Sequence, residues 1–126
     1  MRIGVDLQSV SRFTRIAQHP RYRRLVFTEA ELADVPDLGA PRLTEKLAGR
    51  FCGKEAVAKV LGRGFGQGLR WRDIEVTSDR WGAPVVTLSG GARDIADAAG
   101  VAGVALSVSH QNDLVVCVAT GLSTEG

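Results

Sequence analysis

Cysteine is scarce in this chain. Cys52 and Cys117 are the only two; they lie far apart among apolar residues, with no CxxC pair and no cysteine–histidine cluster. This argues against a disulfide framework and a structural zinc site. Long apolar runs are absent as well. No window approaches the roughly 18 residues of a membrane-spanning helix, and the opening MRIGVDLQSV holds no apolar signal segment. A soluble, cytoplasmic protein without membrane association is expected. Lysine is rare, three residues against thirteen arginines. The guanidinium suits phosphate and carboxylate geometry, although compositional bias in the source genome explains the ratio equally well. Acid is missing where base is densest. Between Leu7 and Thr28 stand Arg12, Arg15, Arg21, Arg23 and Arg24 without one Asp or Glu. That asymmetry points to an acidic partner surface or a polyanion more than the net charge of +2 does.

The 126 residues, 44% hydrophobic and 24% charged, suit one domain spanning residues 1–126 that buries roughly two-thirds of its unfolded surface. Ile3, Val5 and Leu7 alternate with Gly4 and Asp6, the period of a short half-buried strand. Ser9 is placed to cap a helix carrying Val10, Phe13 and Ile16 on one side and Arg12 and Arg15 on another, ended by Pro20. FTEAELADV has Thr28 and Glu31 at capping-box spacing and reads as a second short helix. After the loop PDLGAP, a long helix covers about residues 43–61 and stops at Gly62. RDIEVTSD and APVVTLS are strand-like and joined by RWG. GARDIADAAG is a short helix, and VALSVSH and DLVVCVATGL form a second strand pair turned by QND. Strict βα alternation is missing, so the expected fold is a compact α+β domain with a mainly antiparallel sheet and a long central helix.

That helix carries the chemistry. Leu43, Leu47, Phe51, Ala58 and Leu61 share one face. Glu55 lies at the edge of the stripe, and Lys59 follows one turn later in the favourable acid-then-base order. The pair fits an exposed helix pair worth a few tenths of a kcal/mol. Small apolar neighbours also exclude water there, and a carboxylate so placed needs a counter-charge from a metal ion or Lys59. GRGFGQG follows, four glycines in seven residues. It matches neither a dinucleotide fingerprint nor a Walker loop, and it sits at the helix end whose dipole repels phosphate. It reads as a helix stop; an anion held there would rely on backbone N–H groups and Arg63. Asp6, at the end of the first strand, is placed either to cap the helix near Ser9 or to hold a hard cation. His110 ends an alternating strand next to Ser109, directly before a turn, and a lone histidine so placed is more often structural than catalytic.

Taken in order, IGVDLQSVSRF, FTEAEL, LAGRFCGKEAVAKVLGRG, DIEV with WGAPVVTL, and ALSVSH with VVCVA resemble the motif series of the holo-acyl-carrier-protein synthase family, the small type of 4′-phosphopantetheinyl transferase. The most specific part is the Arg-Phe-x-x-Lys-Glu-Ala-x-x-Lys helix paired with a Gly-x-Asp strand about fifty residues earlier. The resemblance implies that coenzyme A binds with Mg²⁺, and that a serine of an apo acyl carrier protein attacks the β-phosphate. The phosphopantetheine arm then transfers and adenosine 3′,5′-bisphosphate leaves.

Carried onto this chain, the resemblance makes Asp6 and Glu55 the metal carboxylates, with Glu55 or a metal-bound water taking the serine proton. Lys59 neutralises pyrophosphate charge. Arg50 and Lys54 serve packing or phosphate contact, and Arg42 is placed to meet the 3′-phosphate. Gly62, Arg63 and Gly64 match the loop that approaches the nucleotide, and Ser109 with His110 the strand end near coenzyme A. Arg12, Arg15, Arg21 and Arg24 become docking residues for the acidic carrier, and a homotrimer with sites between subunits is implied. Gln111 after the histidine and the loop PDLGAP depart from the family pattern and touch coenzyme contacts and carrier preference more than chemistry. Two other readings stand beside this one. A basic nucleic-acid-binding module lacks any DNA or RNA motif and any aromatics interleaved with the arginines. A member that binds without transferring has the retained Asp6, Glu55 and Lys59 against it.

Overall fold

The structure is a computed structural model, and it describes residues 2–33, 35 and 40–124. The order is β1 (Ile3–Ser9), α1 (Val10–Ala17), α2 (Pro20–Val26), α3 (Glu29–Ala33), α4 (Ala40–Leu61), a 3₁₀ turn (Trp71–Asp73), β2 (Ile74–Ser78), β3 (Pro84–Leu88), α5 (Gly90–Ala98), β4 (Val101–Gln111) and β5 (Leu114–Ser123). One antiparallel sheet has the order β1-β5-β4, and β2 pairs with β3 in a second. The α+β architecture is the one the sequence predicts. Two details differ. Pro20 does follow the end of α1, but it also opens α2, where its fixed φ and missing N–H suit a first helical turn. The long helix begins at Ala40, three residues early; of the expected PDLGAP loop, residues 36–39 lie outside the described residues.

α4 packs against β1 and β5 and also touches β2, β4 and α1. From Leu47 to Lys54 every residue is buried, and only Glu55 and Lys59 interrupt the buried run as far as Leu61. A single apolar stripe is thus replaced by burial all round, the signature of a central helix. Small residues make this possible. A Cβ on Gly53 would come 2.8 Å from Leu106, and one on Gly4 would run into the Ala56 carbonyl oxygen while standing 3.0 Å from Lys59 Cβ. The covered face of β1 is therefore the one that carries Gly4 and Asp6. Ile3, Val5 and Leu7 turn outward and are 64%, 54% and 60% exposed.

Two buried cations on α4 are held by polar groups inside the protein. Lys54 is fully buried; its ammonium meets Glu31 Oε1 at 2.8 Å and donates to the carbonyls of Trp71, at 3.0 Å, and Ile74. Glu31 in turn accepts from the N–H groups of Thr28 and Val76, each at 2.8 Å. Its Oε1 closes the expected capping box, since Thr28 Oγ1 accepts from the Glu31 N–H at 3.2 Å. Burial holds the Lys54 ammonium below its ordinary range, with Glu31 opposing the shift. Arg50 donates to the Glu31 carbonyl at 2.5 Å and to Ser78 Oγ at 3.3 Å. Cutting one side of such a pair strands a buried charge. Lys54→Ala is therefore expected to remove about 3–5 kcal/mol of unfolding free energy in chemical denaturation, and a loss below about 1 kcal/mol would mean that the pair is not a structural lock.

Candidate active site

β1 and α4 bring together residues 49 positions apart in the chain. Asp6 projects from the covered face of β1, and its Oδ1 lies 3.3 Å from Lys59 Nζ. Lys59 also donates to the Val5 carbonyl at 2.8 Å, and Gln8, two residues along the same strand face, donates to Asp6 Oδ2 at 2.6 Å. Asp6 does not cap α1. That task falls to Ser9, whose Oγ accepts from the Arg12 N–H, and to Asp113, which accepts from the Ser11 N–H at 2.9 Å. Glu55, one turn before Lys59 and half-buried, completes the group. Burial first, and the Asp6 carboxylate second, hold its carboxyl above the ordinary range, while Lys59 pulls it part of the way back. Cys52 lies beneath this site, its thiol donating to the Asp6 carbonyl at 3.3 Å; the neighbouring Cys117 and burial hold that thiol above its ordinary range.

Among the described residues no three His, Cys, Asp or Glu side chains cluster as metal ligands. The Asp6 and Glu55 carboxylates, close enough for one to raise the other, nonetheless suit a hard divalent cation. Mg²⁺ typically takes one or two protein carboxylates and completes its shell with water and substrate phosphates.

Glu55 and Lys59 line a recess of about 420 Å³ with Ala58, Gly62, Arg63, Gly64 and Phe65. Gly62 stops α4 at φ +74°, and a Schellman motif follows: Gly62 N–H reaches the Lys59 carbonyl and Arg63 N–H the Ala58 carbonyl. Gly64 N–H is taken by Gln67 Oε1 at 3.0 Å. The backbone donors that an anion could have used at Gly62, Arg63 and Gly64 are thus spent. What the loop offers the recess is open space and the exposed Arg63 side chain.

A second recess opens toward the other end of α4, lined by Lys46, Gly49, Arg50, Ser78, Pro84 and His110, among others. His110 faces α4; its Nε2 would lie 3.5 Å from a Cβ on Gly49. Ser109 alternates to the opposite face of β4, opposite Val116, so the two expected neighbours point apart. Arg42 is exposed one turn before Lys46 and lies about 20 Å along the helix axis from Glu55, at roughly 1.5 Å per residue. The expected coenzyme residues therefore divide into two groups on one chain. Lys54 belongs to neither, because its ammonium is enclosed by protein, and Arg50 reaches the second recess only while tied to Glu31 and Ser78. Sequence reading missed Gln8 and Lys46. Strand period from Asp6 and helix period from Arg42 were the signals available.

The arginines spread over two helices. Arg12 and Arg15 flank a small recess on α1 with Ser11, whereas Arg21 and Arg24 are exposed on α2 and Arg23 is half-buried.

A family model described as the 4′-phosphopantetheinyl transferase superfamily matches residues 2–119. The holo-[acyl-carrier-protein] synthase of Moorella thermoacetica is 40% identical over 100% of this chain and 99% of its own. The crystal structure of the corresponding synthase of Neisseria meningitidis superposes with a TM-score of 0.84 at 28% identity, covering 97% of this chain and 98% of that one. The synthase of Bacillus anthracis, solved in complex with CoA (3′,5′-ADP), has a TM-score of 0.77 at 31% identity over 94% and 92% of the two chains.

The raised Glu55 carboxyl fixes a sign. In the unfolded chain it ionises at its ordinary, lower pKa, so stability is lost as pH rises through the window between that value and the raised one. Above that window the cation-free protein carries the full penalty. Glu55→Gln is expected to raise Tm in EDTA at pH 7.5 by about 1–3 °C, with no such gain at pH 4. A lower Tm in EDTA at pH 7.5 would show that Glu55 is already compensated by Lys59.

Proposed function

The chain belongs to the 4′-phosphopantetheinyl transferase superfamily, and from that premise we propose how its site moves the phosphopantetheine arm of coenzyme A to a serine of an apo acyl carrier protein. The observation that carries the reading is the meeting of Asp6, Glu55 and Lys59 on the covered side of β1, beside a recess walled by residues 62–64.

Asp6, oriented by Gln8, and Glu55 would hold Mg²⁺. When bound, the ion draws charge from the diphosphate and fixes it for displacement. Lys59 is about half exposed and joined to Asp6 at 3.3 Å, free to turn its ammonium to the phosphate oxygens. Arg63 stands at the rim. Glu55 stands beside the recess and takes the serine proton. The serine oxygen forms a bond to the β-phosphorus, the phosphoanhydride bond breaks, and adenosine 3′,5′-bisphosphate carries away the electron pair. Little covalent work falls to the protein, so positioning and charge neutralisation supply the catalysis.

The coenzyme's far end, with its 3′-phosphate, would be met by Arg42, Lys46 and His110. The length of α4 between Arg42 and Glu55 favours a site shared between chains, in which one subunit gives the carboxylates and its neighbour the second recess. An assembly surface is at hand: Ile3, Val5, Leu7, Leu114, Val118 and Leu122 leave the outer face of the three-stranded sheet apolar and 38–64% exposed. A homotrimer through this face is the proposed assembly, and a cytoplasmic location is proposed with it.

Intact-mass spectrometry of apo carrier proteins incubated with the protein, coenzyme A and Mg²⁺ is expected to show the gain of one phosphopantetheine, lost with Glu55→Ala at unchanged circular dichroism. Wild-type turnover by that variant would remove Glu55 from the mechanism. Analytical ultracentrifugation is expected to give three chains, with Val118→Asp dissociating them and losing activity; an active monomer would contradict the shared site.

A further inference from the structure

A groove of about 850 Å³ lies between α2 and the 3₁₀ turn, separate from both recesses above. Its floor is aromatic. The rings of Phe65 and Trp71 stack with centroids 3.6 Å apart at 11°, and Trp71 stacks in turn on Phe51 at 5.1 Å. The floor is thereby anchored to the core through Phe51, which is 9% exposed. Leu25, 56% exposed, forms an apolar wall. Arg24, Arg70 and Arg72 line the same groove. All three are exposed, and none forms an ion pair among the described residues. The one acid in the lining, Asp73, is turned back to accept from the Arg70 N–H at 3.1 Å.

An apolar floor inside a ring of three unpaired guanidiniums selects a partner whose carboxylates flank an apolar side chain. Aromatic residues and arginine are also the types that carry most energy at protein interfaces. Position narrows the choice further. Phe65 lines both this groove and the recess of Glu55 and Lys59. A macromolecule that delivers a hydroxyl to that recess must rest on surface adjoining it, and the groove adjoins it directly. Arg12 and Arg15 border a different recess.

We propose that the acyl carrier protein docks in this groove, with an apolar side chain on the Phe65–Trp71 pair and carboxylates against Arg24, Arg70 and Arg72, rather than on α1 alone. The proposal rests on the transferase reading given above. It assigns Arg70 and Arg72, on the 3₁₀ turn and outside the arginine-rich segment, to partner selection. Charges at such a rim act mainly on association rate and its salt dependence.

Steady-state kinetics with apo acyl carrier protein, coenzyme A and Mg²⁺ test it. Arg70→Glu with Arg72→Glu is expected to raise KM for the carrier about tenfold and flatten its salt dependence, while KM for coenzyme A moves less than about twofold. Leu25→Ser, which leaves the charges in place, is expected to raise the carrier KM with the salt dependence retained. A carrier KM unchanged by Arg70→Glu with Arg72→Glu, alongside a raised one in Arg15→Glu, would confine docking to α1 and overturn the groove while leaving the transferase standing. Failure of the wild type to modify any carrier would overturn both.

Discussion

The backbone of β1 lies directly on α4, and the chemistry depends on that contact. Gly4 provides it: with no Cβ, it lets the strand settle against the Ala56 carbonyl and Lys59 Cβ. Asp6 follows two residues along the same strand face, and Glu55 and Lys59 flank the contact on the helix. Two carboxylates and an ammonium are thereby forced into one small volume from distant parts of the chain. Interiors are packed too densely to adjust by slippage, so a side chain at residue 4 would separate the charged groups as well as loosen the core.

Adjacent residues on α4 resolve buried charge in opposite ways. Lys54 is matched inside the protein by Glu31 and two carbonyls, and the match is complete. Among the described residues Glu55 has no such partner. It sits half-buried beside a second carboxylate, with one lysine already shared with Asp6, and its carboxyl is held above the ordinary range as a result. A buried like-charge pair is a cost to the fold that persists where a ligand offsets it. Charge is balanced at Lys54 and left unbalanced at Glu55.

Much of this was legible in the sequence. The period of β1, the Thr28–Glu31 capping box, the stop at Gly62 and both hairpins follow from local chemistry, and the structure has them. The Asp6–Glu55–Lys59 grouping was legible only through the motif series, because no local rule brings a strand residue to a helix 49 positions later. Burial of α4 on every side was hidden for a similar reason: Arg50 and Lys54 look like surface residues until Glu31, Ser78 and the start of β2 arrive to pair with them. The start of a helix at Pro20 was masked by reading proline only as a terminator. The division along α4 of the residues expected to meet coenzyme A, and the groove beneath Arg70 and Arg72, depend on how separate elements meet, which periodicity does not encode.

The most direct test of the account is a crystal of the protein grown with Mn²⁺ and coenzyme A, examined by anomalous scattering. One strong peak is expected within coordinating distance of a carboxylate oxygen of Asp6 and one of Glu55, in contact with the coenzyme's diphosphate. A diphosphate bound without a cation, or a cation held away from both carboxylates, would contradict it.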